Sequence, residues 1–183
     1  MARKSKQPKG KTMKPTFFVF CEGKTEATYV DLLRRNFRVP VEIITHVSNS
    51  NITQRFVDTC KRDKFTTAQD KTFLMFDLDV VGMFERLSKI KDATLLLSNP
   101  SIEYWFLLHY TDYNAEISSA DVLRRLTLID ANYEKGIFSV QMRQRLLTDF
   151  ERAKERAKRK VTFSNPSTTV YWLIDAIKNQ VKD

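Results

Sequence analysis

Lys71-Thr72-Phe73-Leu74-Met75-Phe76-Asp77-Leu78-Asp79 is a short, mostly apolar run that ends in two carboxylates. A run this short between charged residues is typical of a buried strand rather than of a helix. In open α/β sheets, ligands bind outside the carboxyl ends of the strands. The run therefore predicts a central strand with a candidate site at its end.

The spacing of Asp77 and Asp79 suits a shared cation. Residues two apart on an extended segment lie on the same side of it, and neighbouring carboxylates repel each other unless a cation neutralises them. Carboxylate oxygens are preferred ligands of Mg²⁺. The alternative interpretation is the start of a helix, where aspartate is common because it caps the first turn.

Three other short apolar runs predict further strands of the same sheet. They are residues 16–21, 41–47 and 94–97, and helical patterns lie between them. This alternation predicts an α/β fold, in which helices cover both faces of a mostly parallel sheet. Right-handed crossovers would bring the carboxyl ends of the strands to one edge.

Two glutamates are predicted to reach that edge. Glu22 follows the first strand directly, before a turn at Gly23. Glu103 follows Asn99-Pro100, which is expected to start a buried helix, with Asn99 as N-cap and Pro100 at the first position. A glutamate in a buried helix needs a partner, and the sequence leaves open whether this is a metal or substrate, or a lysine.

The chain is predicted to have three parts. Residues 1–15 are expected to be a disordered basic tail, residues 16–112 the α/β core, and residues 113–183 a helical extension packed on that core. In the extension, Ser139 is expected to start one long helix, and Asn165-Pro166 is expected to open the last helix.

The net charge of +9 is concentrated in two segments. Residues 1–14 carry six Lys/Arg and no acid, and residues 143–160 carry eight Lys/Arg against three acids. Segmental basicity is typical of polyanion binders, although a solvated tail and a solvated helix face would also explain it. The predicted nucleic-acid contacts are Lys24, Arg143, Arg145, Arg152, Arg156 and Arg159.

Nothing in the sequence predicts a membrane partner. No apolar run approaches the ~20 residues that a membrane span requires, and the basic amino terminus leads into no signal-type apolar segment. We therefore expect a cytoplasmic protein.

Three motifs around these residues resemble the Toprim domain of the RloB-like and AbiLii-like proteins. The first is Cys21-Glu22-Gly23-Lys24-Thr25-Glu26 with Tyr29, the second is Ser98-Asn99-Pro100 with Glu103, Trp105 and His109, and the third is Asn165-Pro166-Ser167-Thr168-Thr169-Val170-Tyr171. The likeness covers about residues 16–178. It departs from the family pattern at Val80-Val81-Gly82, where an acidic or basic residue is expected after Asp79.

The resemblance implies a Toprim-like fold and metal-dependent hydrolysis of RNA, including tRNA, or of DNA. Glu22 would then be a general acid or base that also touches the metal, and Asp77 and Asp79 would hold Mg²⁺, or Mn²⁺ in its place. Glu103 would be a further ligand or catalytic residue. The resemblance also implies a toxic effector of bacterial anti-phage defence, encoded beside an AAA-type ATPase. The number of subunits stays open, a homo-oligomer included.

Two alternatives from other functional classes stay open at this point. One is a nucleic-acid or partner-binding module that has kept the fold and lost the metal, against which the intact Glu22, Asp77 and Asp79 argue. The other is an enzyme that acts on a free nucleotide, which would not need so long a basic surface.

Overall fold

Five strands form a single sheet in the computed structural model, which describes residues 15–45 and 52–182. They are β1 (Phe17–Cys21), β2 (Val41–Thr45), β3 (Lys71–Asp77), β4 (Ala93–Asn99) and β5 (Ser167–Thr168). The order across the sheet is β2-β1-β3-β4-β5, in which the first four strands are parallel and β5 is antiparallel to β4. The predicted α/β fold with a mostly parallel sheet is confirmed. The predicted tail lies outside the described residues, apart from Pro15.

Helices connect the strands and make up most of the C-terminal part. They are α1 (Lys24–Phe37), α2 (Gln54–Arg62), α3 (Met83–Leu87), α4 (Ile102–Leu107), α5 (Ser119–Ile129), α6 (Val140–Thr148), α7 (Phe150–Lys158) and α8 (Tyr171–Lys182). No helix in the described ranges is both long and apolar enough to cross a membrane.

Two apolar layers bury the two faces of the sheet. Alternate strand residues point to opposite faces, so Phe17, Val19 and Phe73 join one layer with α1, α4 and the C-terminal helices. Phe18 and Phe20 join the other layer with α2 and α3. Both faces of the central strands are therefore covered, which explains why their sequences read as continuous apolar runs.

The two Asn-Pro pairs do not start helices, contrary to the sequence prediction. Both peptide bonds, Asn99-Pro100 and Asn165-Pro166, are cis, and the helices that follow begin at Ile102 and Tyr171. The asparagine side chains join distant segments instead of capping a helix. Asn99 donates to the Phe163 carbonyl at 3.0 Å (Nδ2···O). Asn165 pairs with both backbone polar groups of Ile117, at 3.0 and 2.9 Å.

The helix predicted to run on from Ser139 is divided at Asp149. Asp149 ends α6 with backbone angles of φ −101° and ψ 13°, and α7 begins at the next residue. Aspartate favours helix ends, because its side chain competes for nearby backbone groups. Arg145, one turn earlier, pairs with the Asp149 carboxylate at 2.9 Å.

A buried packing unit is formed by Tyr29, Trp105 and His109. All three belong to the sequence motifs that resemble the family. The Trp105 indole N–H donates to the Tyr29 hydroxyl at 2.8 Å, and the Trp105 carbonyl lies 2.9 Å from His109 Nδ1. Burial lowers the pKa of His109 to about 4, so this histidine is neutral at physiological pH. These motif residues connect α1 to α4.

Tyr29→Phe is expected to lower the free energy of unfolding by about 1–3 kcal/mol, because it leaves the buried Trp105 N–H without its acceptor. Urea denaturation measures this loss. Tyr171→Phe, at a partly exposed tyrosine, is the matched control and should change stability by less than about 0.5 kcal/mol. Equal stability of the two variants would contradict the assigned role of the Tyr29 hydroxyl.

Candidate active site

Neighbouring strand ends bring Glu22 and Asp77 into contact. Cys21 pairs with Met75 in the parallel register of β1 and β3, so the residue after β1 lies beside the end of β3. The Glu22 carboxylate accepts a hydrogen bond from the Asp77 backbone N–H at 2.8 Å (Oε2···N). The structure thus joins two predicted site residues that lie 55 positions apart in the chain.

Asp77 also holds the start of α4. Its Oδ1 atom accepts a hydrogen bond from the Ile102 backbone N–H at 2.8 Å. The amino end of a helix favours negative charge, which explains why a carboxylate is suited to this place. Within the described part of the chain, the second oxygen of Glu22 and that of Asp77 accept no hydrogen bond, so each remains available to a ligand.

Glu26 belongs to the same group, although the sequence interpretation gave it no role in the site. It lies in the first turn of α1, is 5% exposed, and accepts a hydrogen bond from the Gly23 N–H at 3.0 Å. A glutamate three residues after a helix start is usually a capping residue, and this one does cap. The position of Glu26 in the sequence, one helical turn after Glu22, could have indicated that it belongs to the site.

Glu103 is bound by a tyrosine from the loop between α5 and α6. It is 2% exposed, and its Oε1 atom accepts a hydrogen bond from the Tyr133 hydroxyl at 3.1 Å. Because Ser101 is the N-cap of α4, Glu103 occupies the second position of the helix. Burial, followed by the charge of Glu103, raises the pKa of Tyr133, so the phenol stays protonated and donates.

One cleft of about 360 Å³ collects these side chains. It is lined by Glu22, Gly23, Lys24, Thr25, Glu26, Asp77, Asp79, Glu103 and Lys135. All four predicted carboxylates therefore share a cavity with Glu26. Lys24 lines it as well, whereas Lys135 was missed, because nothing in its local sequence indicates that its loop folds back to the sheet edge.

The carboxylates of the cleft disfavour one another's charge. Burial, followed by the charges of Glu26 and Glu103, raises the pKa of Asp77 well above its ordinary value. Burial also raises the pKa of Glu22, with a smaller contribution from Asp79, while the hydrogen bond from the Asp77 N–H opposes this rise. Burial, Glu103 and Glu22 together raise the pKa of Glu26 to about 7. Protons or a bound cation in the cleft would therefore stabilise the folded protein.

The donor atoms in the cleft suit a hard divalent cation. Mg²⁺ prefers oxygen ligands and needs only one or two carboxylates when waters and substrate phosphates complete its octahedron. In residues 15–45 and 52–182, no three Asp, Glu, His or Cys side chains are already arranged so that they could hold one ion. Asp77, Asp79 and Glu22 line the cleft and offer carboxylate oxygens, the ligand type that such an ion prefers.

The five predicted arginine contacts lie on α6, on α7 or at the cap of α7, and two of them reach the carbonyls that follow α4. Arg156 donates to the Leu108 carbonyl at 2.6 Å (Nη1···O). Arg145 donates to the His109 carbonyl at 3.4 Å (Nε···O). The exposed members of the set are Arg143, Arg152 and Arg159. Cations near the last carbonyls of a helix stabilise it, which gives Arg145 and Arg156 a structural use. Arg143 donates to the Phe138 carbonyl at 3.0 Å and Arg159 pairs with Asp112 at 3.1 Å, so four of the five arginines have partners within the chain.

Glu26→Gln is expected to stabilise the metal-free protein at about pH 8 and to have little effect at about pH 4. The pKa of Glu26 is about 7 in the folded state against an ordinary value of 4.5, so its contribution to stability is complete below pH 4.5 and is lost as the pH rises through 7. Glutamine has no charge and can still accept the Gly23 hydrogen bond. Urea unfolding in EDTA should show a gain that approaches roughly 3 kcal/mol at about pH 8.

Glu116→Gln is the control for this effect, since Glu116 is exposed and the substitution removes the same charge. A gain for Glu26→Gln that is as large at the acidic pH as at the alkaline pH would contradict the predicted protonation.

A comparison with models of protein families identifies the family of this chain. No curated protein and no solved structure matches the chain. The model of the RloB-like protein family matches residues 17–177, which include every strand and every carboxylate of the cleft. The chain therefore belongs to the RloB-like protein family.

Proposed function

We propose that this RloB-like protein is a Mg²⁺-dependent nuclease that hydrolyses phosphodiester bonds in nucleic acid. The observation that carries the proposal is the presence of five carboxylates around one cleft at the carboxyl edge of the sheet. Grouped like charges destabilise a protein unless a cation joins them, so such a group favours a functional site over a structural one.

Asp77 and Asp79, with Glu22, are the residues that would hold Mg²⁺. The bound ion would neutralise charge on the scissile phosphate and make an attacking water more acidic. Glu22 would move a proton at the reacting phosphodiester through its Oε1 atom, because its Oε2 atom accepts the Asp77 N–H. The raised pKa of Glu22 supports this role, since a proton-transfer group works best when its pKa lies near the working pH.

Glu103 would be a further ligand or catalytic residue of the same cleft. The Tyr133 hydroxyl fixes its Oε1 atom, which leaves the other carboxylate oxygen for the ion or for a water. Glu26 would add negative charge behind Asp77 and strengthen the attraction for the cation, because the charge of Glu26 acts on Asp77.

RNA, including tRNA, is the proposed substrate class, and DNA is the alternative. The family resemblance supports the biological setting: a toxic effector of bacterial phage defence that acts in the cytoplasm and is restrained or triggered by an AAA-type ATPase. The exposed arginines of α6 and α7 would attract the polyanion over a longer range, while Lys24 would meet it in the cleft.

Asp77→Asn and Glu22→Gln are each expected to reduce Mg²⁺-dependent cleavage by at least about 100-fold. Both amides keep an oxygen that can accept the existing backbone hydrogen bond, so the fold should be retained. The assay follows degradation of a mixture of total RNA and DNA, with the neighbouring ATPase supplied, and Glu116→Gln serves as the matched control. If the wild-type protein cuts neither polymer under these conditions, the nuclease proposal is wrong.

Mg²⁺ is expected to raise the melting temperature of the wild-type protein and to have little effect on Asp77→Asn. At an ion concentration ten times Kd, the stabilisation would be about 1.4 kcal/mol. Differential scanning fluorimetry with Mg²⁺, and with Ca²⁺ and K⁺ in parallel, measures the shift. An equal shift in both proteins would show that the ion does not bind through Asp77.

A further inference from the structure

Lys135 lies at the tip of a tight turn. The Ile137 N–H donates to the Glu134 carbonyl at 2.9 Å, which closes a four-residue turn, and Gly136 has φ +77°. A glycine with positive φ at the third position is typical of a type II turn, because other residues are strained there. The sequence Glu134-Lys135-Gly136-Ile137 thus places Lys135 at the second, outward position.

The turn is fixed to the first helix of the site. The Thr28 hydroxyl donates to the Gly136 carbonyl at 3.2 Å. The Gly136 backbone also packs against Lys24, since a Cβ atom at Gly136 would lie 3.0 Å from Lys24 Cγ. Two positions before Lys135, the buried Tyr133 reaches Glu103. Contacts on both sides of Lys135 therefore hold it at the rim of the carboxylate cleft.

The ammonium group of Lys135 is available to an anionic ligand of the cleft. Among the described residues it forms no ion pair within 4.0 Å, although it lines the cleft and is exposed. Its charge is near enough to Glu22 to oppose the rise in pKa that burial causes. By contrast, Arg145 and Arg156 are bound to backbone carbonyls at the other end of α4.

We propose that Lys135 is a phosphate-binding residue of the cleft, in addition to Lys24, and that its ammonium group contacts the non-bridging oxygens of the phosphate that lies against Glu22 and Asp77. An ammonium at this place would offset the repulsion between substrate phosphate and the carboxylates, which a single divalent ion would only partly neutralise. This proposal takes from the proposed function only that the phosphate belongs to a nucleic acid. It does not require that the protein cleaves that nucleic acid.

The test uses the Glu22→Gln protein, so that bound RNA is not cut. Fluorescence anisotropy with a labelled single-stranded oligoribonucleotide, in Mg²⁺ and at several salt concentrations, compares this protein with its Lys135→Gln and Lys91→Gln derivatives. Lys91 is an exposed lysine just before β4, at the opposite edge of the sheet, and its substitution removes the same charge. Melting curves of all three proteins verify that they are folded.

Lys135→Gln is expected to weaken RNA binding about tenfold and to reduce the salt slope by about 0.7, the value for one lost phosphate contact on a single strand. Lys91→Gln should change affinity by less than about twofold, as a distant charge is largely screened. Equal effects of the two substitutions would overturn the proposal.

A second titration with inorganic pyrophosphate separates this proposal from the nuclease hypothesis. One outcome is that pyrophosphate raises the melting temperature of the Glu22→Gln protein but not that of its Lys135→Gln derivative, while none of the proteins binds RNA. That result would retain the phosphate site and reject the nucleic-acid substrate. If pyrophosphate raises the melting temperature equally in the Glu22→Gln protein and in its Lys135→Gln derivative, and neither binds RNA, the assignment of Lys135 is overturned.

Discussion

The close approach of carboxylates around Asp77 is the constraint on which the site depends. Asp77 donates its N–H to Glu22 and accepts the N–H of Ile102, so one residue connects β1, β3 and α4. Charges placed this closely oppose folding unless protons or a cation occupy the cleft. The two apolar layers supply the stability that opposes this repulsion. The acids are thus held together by the scaffold and not by mutual attraction, as a preorganised binding site requires.

Helix α4 has groups of opposite charge at its two ends. Its amino end meets the carboxylates through Asp77, whereas the carbonyls that follow its carboxyl end accept hydrogen bonds from Arg145 and Arg156. This arrangement follows the direction of the helix dipole, which favours anions at the first turn and cations at the last. Part of the strong basicity of residues 143–160 therefore stabilises the fold, so net charge alone overstates how much of this segment is free to bind a polyanion.

The C-terminal extension contributes to the site as well as to the scaffold. The loop between α5 and α6 carries Tyr133 and Lys135 to the cleft, and the short strand β5 completes the sheet next to β4. In β5 the Thr168 hydroxyl lies 2.9 Å from that of Ser98 at the end of β4. A boundary near residue 112 separates two patterns of sequence, but the candidate site draws residues from both sides of it.

The sequence by itself determined the parallel sheet and the acids at the ends of its strands, because short apolar runs and their helical connections are local patterns. Glu22 and Asp77 follow such runs directly, so the direction of the strands places them at one edge. Only the tertiary structure decided which side chains would join them. Tyr133 reaches Glu103 across 30 positions, and Lys135 arrives on the same loop. Such pairings depend on how distant segments pack, and no local pattern records them.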